Sequence, residues 1–408
     1  MSALSTSSPK NINPKNRLLS LDALRGFDMF WIISGEGIFH GIANVIKDKY
    51  ALTDDPANLH IIADQQLSIT ERLMVGIGNQ LYHSTWNGFT FYDLIFPLFI
   101  FIAGISMAFS YSKTDFQTKA EAQLITRQRY LQLFKRTCLL ILLGMVVNGL
   151  LKFEGYEQTR FASVLGRIAL ACFFAAILYL NSSLRWQLAW FSLILVGYWI
   201  LMTWVPVPHY GAGLLTPEGN LGAYVDQHLL PGKLYRTVYD PEGLLSTIPA
   251  IATAMLGMFT GRFLLWKTGK LKPLHKMGIL MLAGIVLIAL SAAWDITFPI
   301  NKRLWTSSFV LCAGGWSLLL FAIFYGIIDI GEYKKWCMPL VWIGTNSILI
   351  YIAAHGLINF KSTAQFLFGG IIDKVPSSWQ QPLIWLGVLG IQLLILRFLY
   401  HRKLFLKL

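Results

Sequence analysis

Apolar residues recur in this chain in blocks of about twenty, the length an α-helix needs to cross a hydrocarbon core roughly 30 Å thick. The blocks cover residues 19–42, 89–111, 133–151, 164–180, 187–205, 244–265, 277–293, 307–329, 339–356 and 383–400, and no internal repeat relates them. With 55% apolar and only 13% charged residues, the chain lies outside the range of an ordinary soluble domain. The expected fold is an all-α polytopic membrane protein of about ten transmembrane helices. Residues 19–400 form one transmembrane domain, with tails at 1–18 and 401–408 and long loops at 43–88 and 206–243.

The net charge of +13 is unevenly distributed. Lys10, Lys15 and Arg17, the run from Lys113 to Arg136, Arg185, the run from Arg262 to Lys276, Lys334 and Lys335, and the segment from Arg397 to Lys407 fall on one side of the blocks. Lysine and arginine beside spans are held back from translocation, so this side is expected to be cytoplasmic, with both termini on it. The basic excess therefore has a topological origin, and no nucleic-acid partner is expected. Cys138, Cys172, Cys312 and Cys337 lie in or beside spans without metal or disulfide spacing and read as packing residues, so no metal is expected.

The two long loops on the outer side hold most of the histidines and turn residues, so function is expected to open outward. Residues 357–382 read as a connector without chemistry. The first span carries Asp22, Arg25, Asp28, Glu36 and His40. At 100° per residue, Asp22, Arg25, Glu36 and His40 share one face. Asp22 and Arg25, one turn apart, equally fit a structural ion pair.

The stretch His83-Ser-Thr-Trp86-Asn87-Gly-Phe-Thr90-Phe-Tyr-Asp93 opens the second span. If it is helical from His83, the spacing sets His83, Asn87, Thr90 and Asp93 along one face with the carboxylate deepest. A buried carboxylate must have a partner. Histidine can move a proton near neutral pH or attack an acyl group, and Asn87 can orient the imidazole or donate to an oxyanion. The residues alone leave open an alternative in which His83 and Trp86 anchor the membrane interface. Further polar groups are expected at the same outer level: Arg167, Asp240 and Glu242, Asn301, Lys302 and Trp305, and Asn346 and His355.

Taken in order, Arg17-Leu-Leu-Ser-Leu-Asp22-Ala-Leu-Arg25-Gly26, His83-Ser-Thr-Trp-Asn-Gly with Asp93-Leu-Ile-Phe-Pro97, Val164-Leu-Gly-Arg167, Tyr239 to Gly243, Asn301-Lys302 with Trp305, and Asn346-Ser-Ile-Leu-Ile-Tyr351 with His355 resemble the transmembrane acetyltransferase family of heparan-α-glucosaminide N-acetyltransferase, including its bacterial relatives. The resemblance implies transfer of the acetyl group of cytosolic acetyl-CoA across the membrane to an amino sugar on the periplasmic or lumenal side. It makes His83 catalytic, as base or acyl carrier, with Asn87 and Asp93 in support. Trp86, Asp240, Glu242, Asn301, Lys302, Trp305, Asn346 and His355 are then expected at the acceptor, and Asp22, Arg25 and Arg167 along the donor's route. The chain begins close to the first matching span, which under the resemblance points to a bacterial-type member of the inner membrane. The family's association with dimers implies a homodimer. Two rival classes remain at this level: a secondary transporter using Asp22, Arg25, Glu36 and Asp93 as coupling groups, and a polysaccharide O-acyltransferase.

Overall fold

The computed structural model describes residues 18–50, 67–112, 119–153, 155–266 and 271–406, without the side chains of 119–126. The 1–17 part of the expected tail, the middle of the 43–88 loop and residues 407–408 lie outside the described residues. Among the described residues the regular structure is helical, apart from three isolated bridges between extended residues.

Nine described helices are long and apolar enough to cross a membrane: α1 (Leu19–Lys49), α3 (Phe91–Tyr111), α4 (Lys119–Val147), α5 (Val164–Asn181), α6 (Leu184–Trp204), α8 (Leu244–Leu265), α9 (Pro273–Asp295), α10 (Ser307–Ile330) and α14 (Ser377–His401). Helices α11 (Met338–Thr345) and α12 (Ser347–Leu357), which meet at a 75° bend, are together long and apolar enough for a tenth. The protein is an all-α polytopic membrane protein, as its apolar blocks require. Three shorter helices complete the list: α2 (Ile69–Gln80), α7 (Leu221–Leu229) and α13 (Phe360–Ile372).

Several expectations from sequence change. Helix α1 continues to Lys49 and α2 occupies part of the 43–88 loop, started by Ser68 and Glu71 in a reciprocal capping box. The 357–382 connector contains α13 and the first turns of α14. The 339–356 block is one apolar run by hydropathy, yet its backbone turns at Asn346, a residue outside both flanking helices. The polar face drawn through the first span does not persist, because Trp31–Gly35 form a π-helical turn. Its extra residue rotates Glu36 and His40 away from the register of Asp22 and Arg25.

In lipid, helices associate through close packing of small residues rather than through an apolar driving force. At the centre of the bundle α3 and α8 approach to backbone contact: a Cβ on Gly104 would lie 2.2 Å from the Ala254 carbonyl oxygen, and one on Gly257 2.0 Å from that of Phe101. Helices α1 and α11 meet the same way through Gly26 and Gly344. This crossing of α3 and α8 places their first turns side by side. The first turns of α5 and α10 lie beside them, and all four helices aim N-termini at one end of the bundle, called here the chamber end.

Candidate active site

A cavity of about 550 Å³ opens among those helix starts. Its mouth is formed by His83, Arg236 and Arg303, and its floor, between the spans, by Met29, Phe99, Ile168 and Ile348. Arg160, Arg167, Arg236, Lys302 and Arg303 line it, against the carboxylates of Asp93 and Glu242. With four helix N-termini added to this excess of cations, the chamber favours negative charge, including charge that develops during a reaction.

His83 is not on a helix. Residues 81–90 form an irregular turn between α2 and α3, so the face drawn through His83, Asn87, Thr90 and Asp93 is replaced by a loop that folds back on the first turn of α3. Gly88 adopts a φ of 115°, which a residue with a Cβ resists, and its amide donates to the Ile300 carbonyl at 2.8 Å. Thr90 Oγ1 donates to the Tyr82 carbonyl at 2.7 Å, and the Gln80 side chain accepts from the Phe91 amide. The loop is thereby closed on itself and fastened to the segment before α10.

Its product is a fully buried Asp93 carboxylate. Oδ2 accepts from the amides of Ser84 and Thr90 at 3.2 Å each, with the Thr90 hydroxyl 3.1 Å away. Oδ1 lies 2.8 Å from His83 Nδ1. A carboxylate held by so many donors accepts the Nδ1 proton, which fixes the tautomer and makes Nε2 the accepting nitrogen of the ring. The imidazole is 43% exposed, faces the chamber, and packs against the Tyr92 ring at 4.8 Å. Lys302 Nζ stands 3.1 Å from Nδ1, 3.3 Å from Nε2 and 3.6 Å from Asp93 Oδ1. Burial pushes the Lys302 ammonium down to about 8, although Asp93 opposes this. Burial, aided by the Lys302 charge, also holds His83 below its ordinary value against the raising effect of Asp93.

The second charged group of the chamber contains a residue the sequence did not single out. Arg160, in the short segment between α4 and α5, donates from Nε and Nη2 to Asp240 at 2.8 and 2.5 Å and also to Glu242. Burial works against all these charges. The two carboxylates nevertheless raise the guanidinium's pKa, and Arg160 lowers that of Asp240. Nothing in its spacing marks Arg160, because its partners are 80 and 82 residues away. Arg167 lies deeper and is 2% exposed. Its Nη2 donates to Ser246 and the Gly243 carbonyl, its guanidinium sits 4.9 Å from the Trp305 ring, and Nε and Nη1 have no hydrogen-bond partner in the protein. Trp305 is itself held at a φ of 53°, which its near-complete burial and its bond to Thr253 sustain.

Of the residues expected from sequence, His83, Asp93, Arg167, Glu242, Lys302, Trp305 and His355 line the chamber. Asp240 stands directly behind it through Arg160. Asn87 does not reach the imidazole: its Oδ1 accepts from Asn301 Nδ2 at 3.0 Å, while Asn301 Oδ1 holds the turn at Leu304. Trp86 donates to the Leu215 carbonyl and packs on Tyr239, tying the His83 loop to the 206–243 segment. Asn346 is misplaced by the sequence reading. It is tied to the C-terminal segment, donating to the Leu404 carbonyl and accepting from the Leu406 amide, because the bend at α11 leaves its side chain at the opposite end of the bundle. Asp22 and Arg25 lie 3.7 Å apart, with Arg25 also donating to Ser106, outside the chamber wall.

These features define a class: a polytopic membrane protein whose spans enclose a charged chamber with a histidine–aspartate pair at its mouth. No protein-family model matches the chain. It is 28% identical over 331 residues to human heparan-alpha-glucosaminide N-acetyltransferase, covering 68% of this chain and 49% of the human protein. It is 30% identical over 353 residues to the mouse heparan-alpha-glucosaminide N-acetyltransferase, covering 72% and 52%. The chain spans about half the length of the curated relatives it matches. It belongs to the heparan-α-glucosaminide N-acetyltransferase family.

Proposed function

We propose that this protein is a transmembrane acetyltransferase that moves the acetyl group of cytosolic acetyl-CoA to an amino sugar of glucosamine type on the far side of the membrane. The observation that carries the proposal is the His83–Asp93 pair, with the accepting Nε2 beside the Lys302 ammonium, at the mouth of a chamber that penetrates between the spans. In this reading both termini are cytoplasmic, the chamber end is periplasmic or lumenal, and the setting is a bacterial inner membrane. CoA is too polar to cross lipid, so only its acetylated arm enters and only the acyl group changes sides.

A chamber of about 550 Å³ falls within the roughly 300–1,000 Å³ of small-molecule sites. Arg167, with two guanidinium nitrogens lacking protein acceptors, fits the carbonyl oxygens of that arm. Asp22 and Arg25 stand nearer the donor's point of entry. In the reaction the sugar nitrogen forms a C–N bond with the acetyl carbon, the C–S bond breaks, and the thiolate leaves. His83 Nε2 takes the amine proton as base, or first accepts the acetyl group and passes it on. In both cases Asp93 stabilises the imidazolium, and Lys302 faces the developing oxyanion. Glu242, Trp305 and His355 face the acceptor. Trp86, Asn87, Asp240 and Asn301 hold the loops that present it. Asn346 has no part in this proposal, and a homodimer is the proposed assembly.

The test is purified protein with labelled acetyl-CoA and glucosamine-type acceptors. Transfer is expected, falling at least about a hundredfold in His83→Ala. No transfer by the native protein, or full activity in His83→Ala, would sink the proposal. Label retained on the protein in the absence of acceptor identifies the acyl-carrier route.

A further inference from the structure

We infer that a second cavity beside the chamber is a subsite for a further saccharide unit of the acceptor, the sugar joined to the one that carries the amine. The inference rests on the acetyltransferase reading for the identity of the acceptor. The cavity has a volume of about 510 Å³ and lies between the end of α12, α13 and α14. Ile32 and His355 line both it and the chamber, so the two spaces share a wall that an extended ligand would straddle.

Gln392 gives the cavity its chemistry. The residue lines this space and is 1% exposed, its Oε1 accepts from the Ser34 hydroxyl at 2.8 Å, and its buried Nε2 has no protein partner. A buried amide nitrogen calls for an acceptor. Lys361 and His355 add polar groups at the rim, and Trp385 supplies an apolar wall, packed over Gly37 on α1. Hydroxyl groups beside an apolar C–H face are what a sugar ring presents to such a lining, whereas a lipid chain brings no acceptor for Gln392. The height also fits. Ser34 lies two residues before Glu36, whose carboxylate accepts from the Tyr92 hydroxyl next to His83.

The experiment is calorimetric titration of the full-length protein with glucosamine and with a disaccharide bearing glucosamine at its non-reducing end. The native protein is expected to bind the disaccharide about tenfold more tightly. In Gln392→Met that advantage falls below about threefold, with glucosamine affinity unchanged. Equal affinities in the native protein overturn the subsite, as they would if a lipid filled the cavity. A variant that keeps the advantage, or weakens both ligands alike, also overturns it. Should Gln392→Met not fold, Lys361→Met at the exposed rim is measured for the same pattern. The readout is binding, so a failure of acetyl transfer leaves this comparison intact and counts against the acetyltransferase reading alone.

Discussion

Lys302 places a positive charge against the imidazole that, in the proposed reaction, must stay neutral to act. A base works when deprotonated, so activity is expected to fall as pH drops through the pKa of His83, which lies below its usual 6.5. It is expected to fall again as Lys302 loses its proton around 8. In Lys302→Met the repulsion that helps hold His83 down is gone, so the acid limb moves to higher pH and the limb near 8 disappears, with roughly a tenfold loss at neutral pH. Profiles of kcat/KM from about pH 5 to 9.5 check this, and an acid limb that stays in place would count against the assigned coupling. The pairing of His83 with Asp93 was legible in the sequence because a carboxylate at a span's start requires a partner. The backbone that delivers it was not legible, since nothing in residue spacing reveals that Gly88 turns the chain and that Thr90 starts the helix. Lys302 and Arg160 were harder still, because their partners are brought to them by packing alone.

At the level of elements, hydropathy locates helices well and breaks in them poorly. A span keeps its apolar character through a π turn or a bend, so Trp31–Gly35 and the turn at Asn346 leave no trace in a window average. Junctions between elements carry their own energetics. Asp226, on α7, accepts from the Leu244 amide at the start of α8. Burial raises its pKa from 3.8 to about 6. Because the folded value exceeds the unfolded one, its contribution to stability is present below about pH 4 and is lost as pH rises through 6. Asp226→Asn, which resembles the protonated form, is therefore expected to stabilise the protein by on the order of 2 kcal/mol at pH 7.5. Near pH 4.5 most of that gain disappears. Thermal unfolding in detergent at the two pH values measures it, and an equal shift at both would exclude a titration effect.

For the molecule as a whole, the proposed placement of the chamber end on the outside rests on up to ten crossings and on the basic residues beside them. In a cysteine-free background, a thiol reagent that cannot cross the bilayer is expected to label Thr85→Cys in intact cells and Lys403→Cys only after permeabilisation. The reverse pattern would invert the proposed sidedness and remove acetyl-CoA from the cytosolic face. The side assignment needed no tertiary information, since it rests on charges next to spans, whereas the chamber exists only through contacts made after the spans have assembled. His83 and Lys302 meet across 219 residues of chain, and Arg160 closes on residues more than a helix pair further along. During synthesis the His83 loop therefore emerges long before the groups that tune and enclose it. In the proposed reaction the imidazole becomes competent only once α10 has inserted beside α3, so the ordering of membrane insertion sets when the site first exists, and a nascent chain halted before residue 302 is expected to be inert however many of its helices have formed.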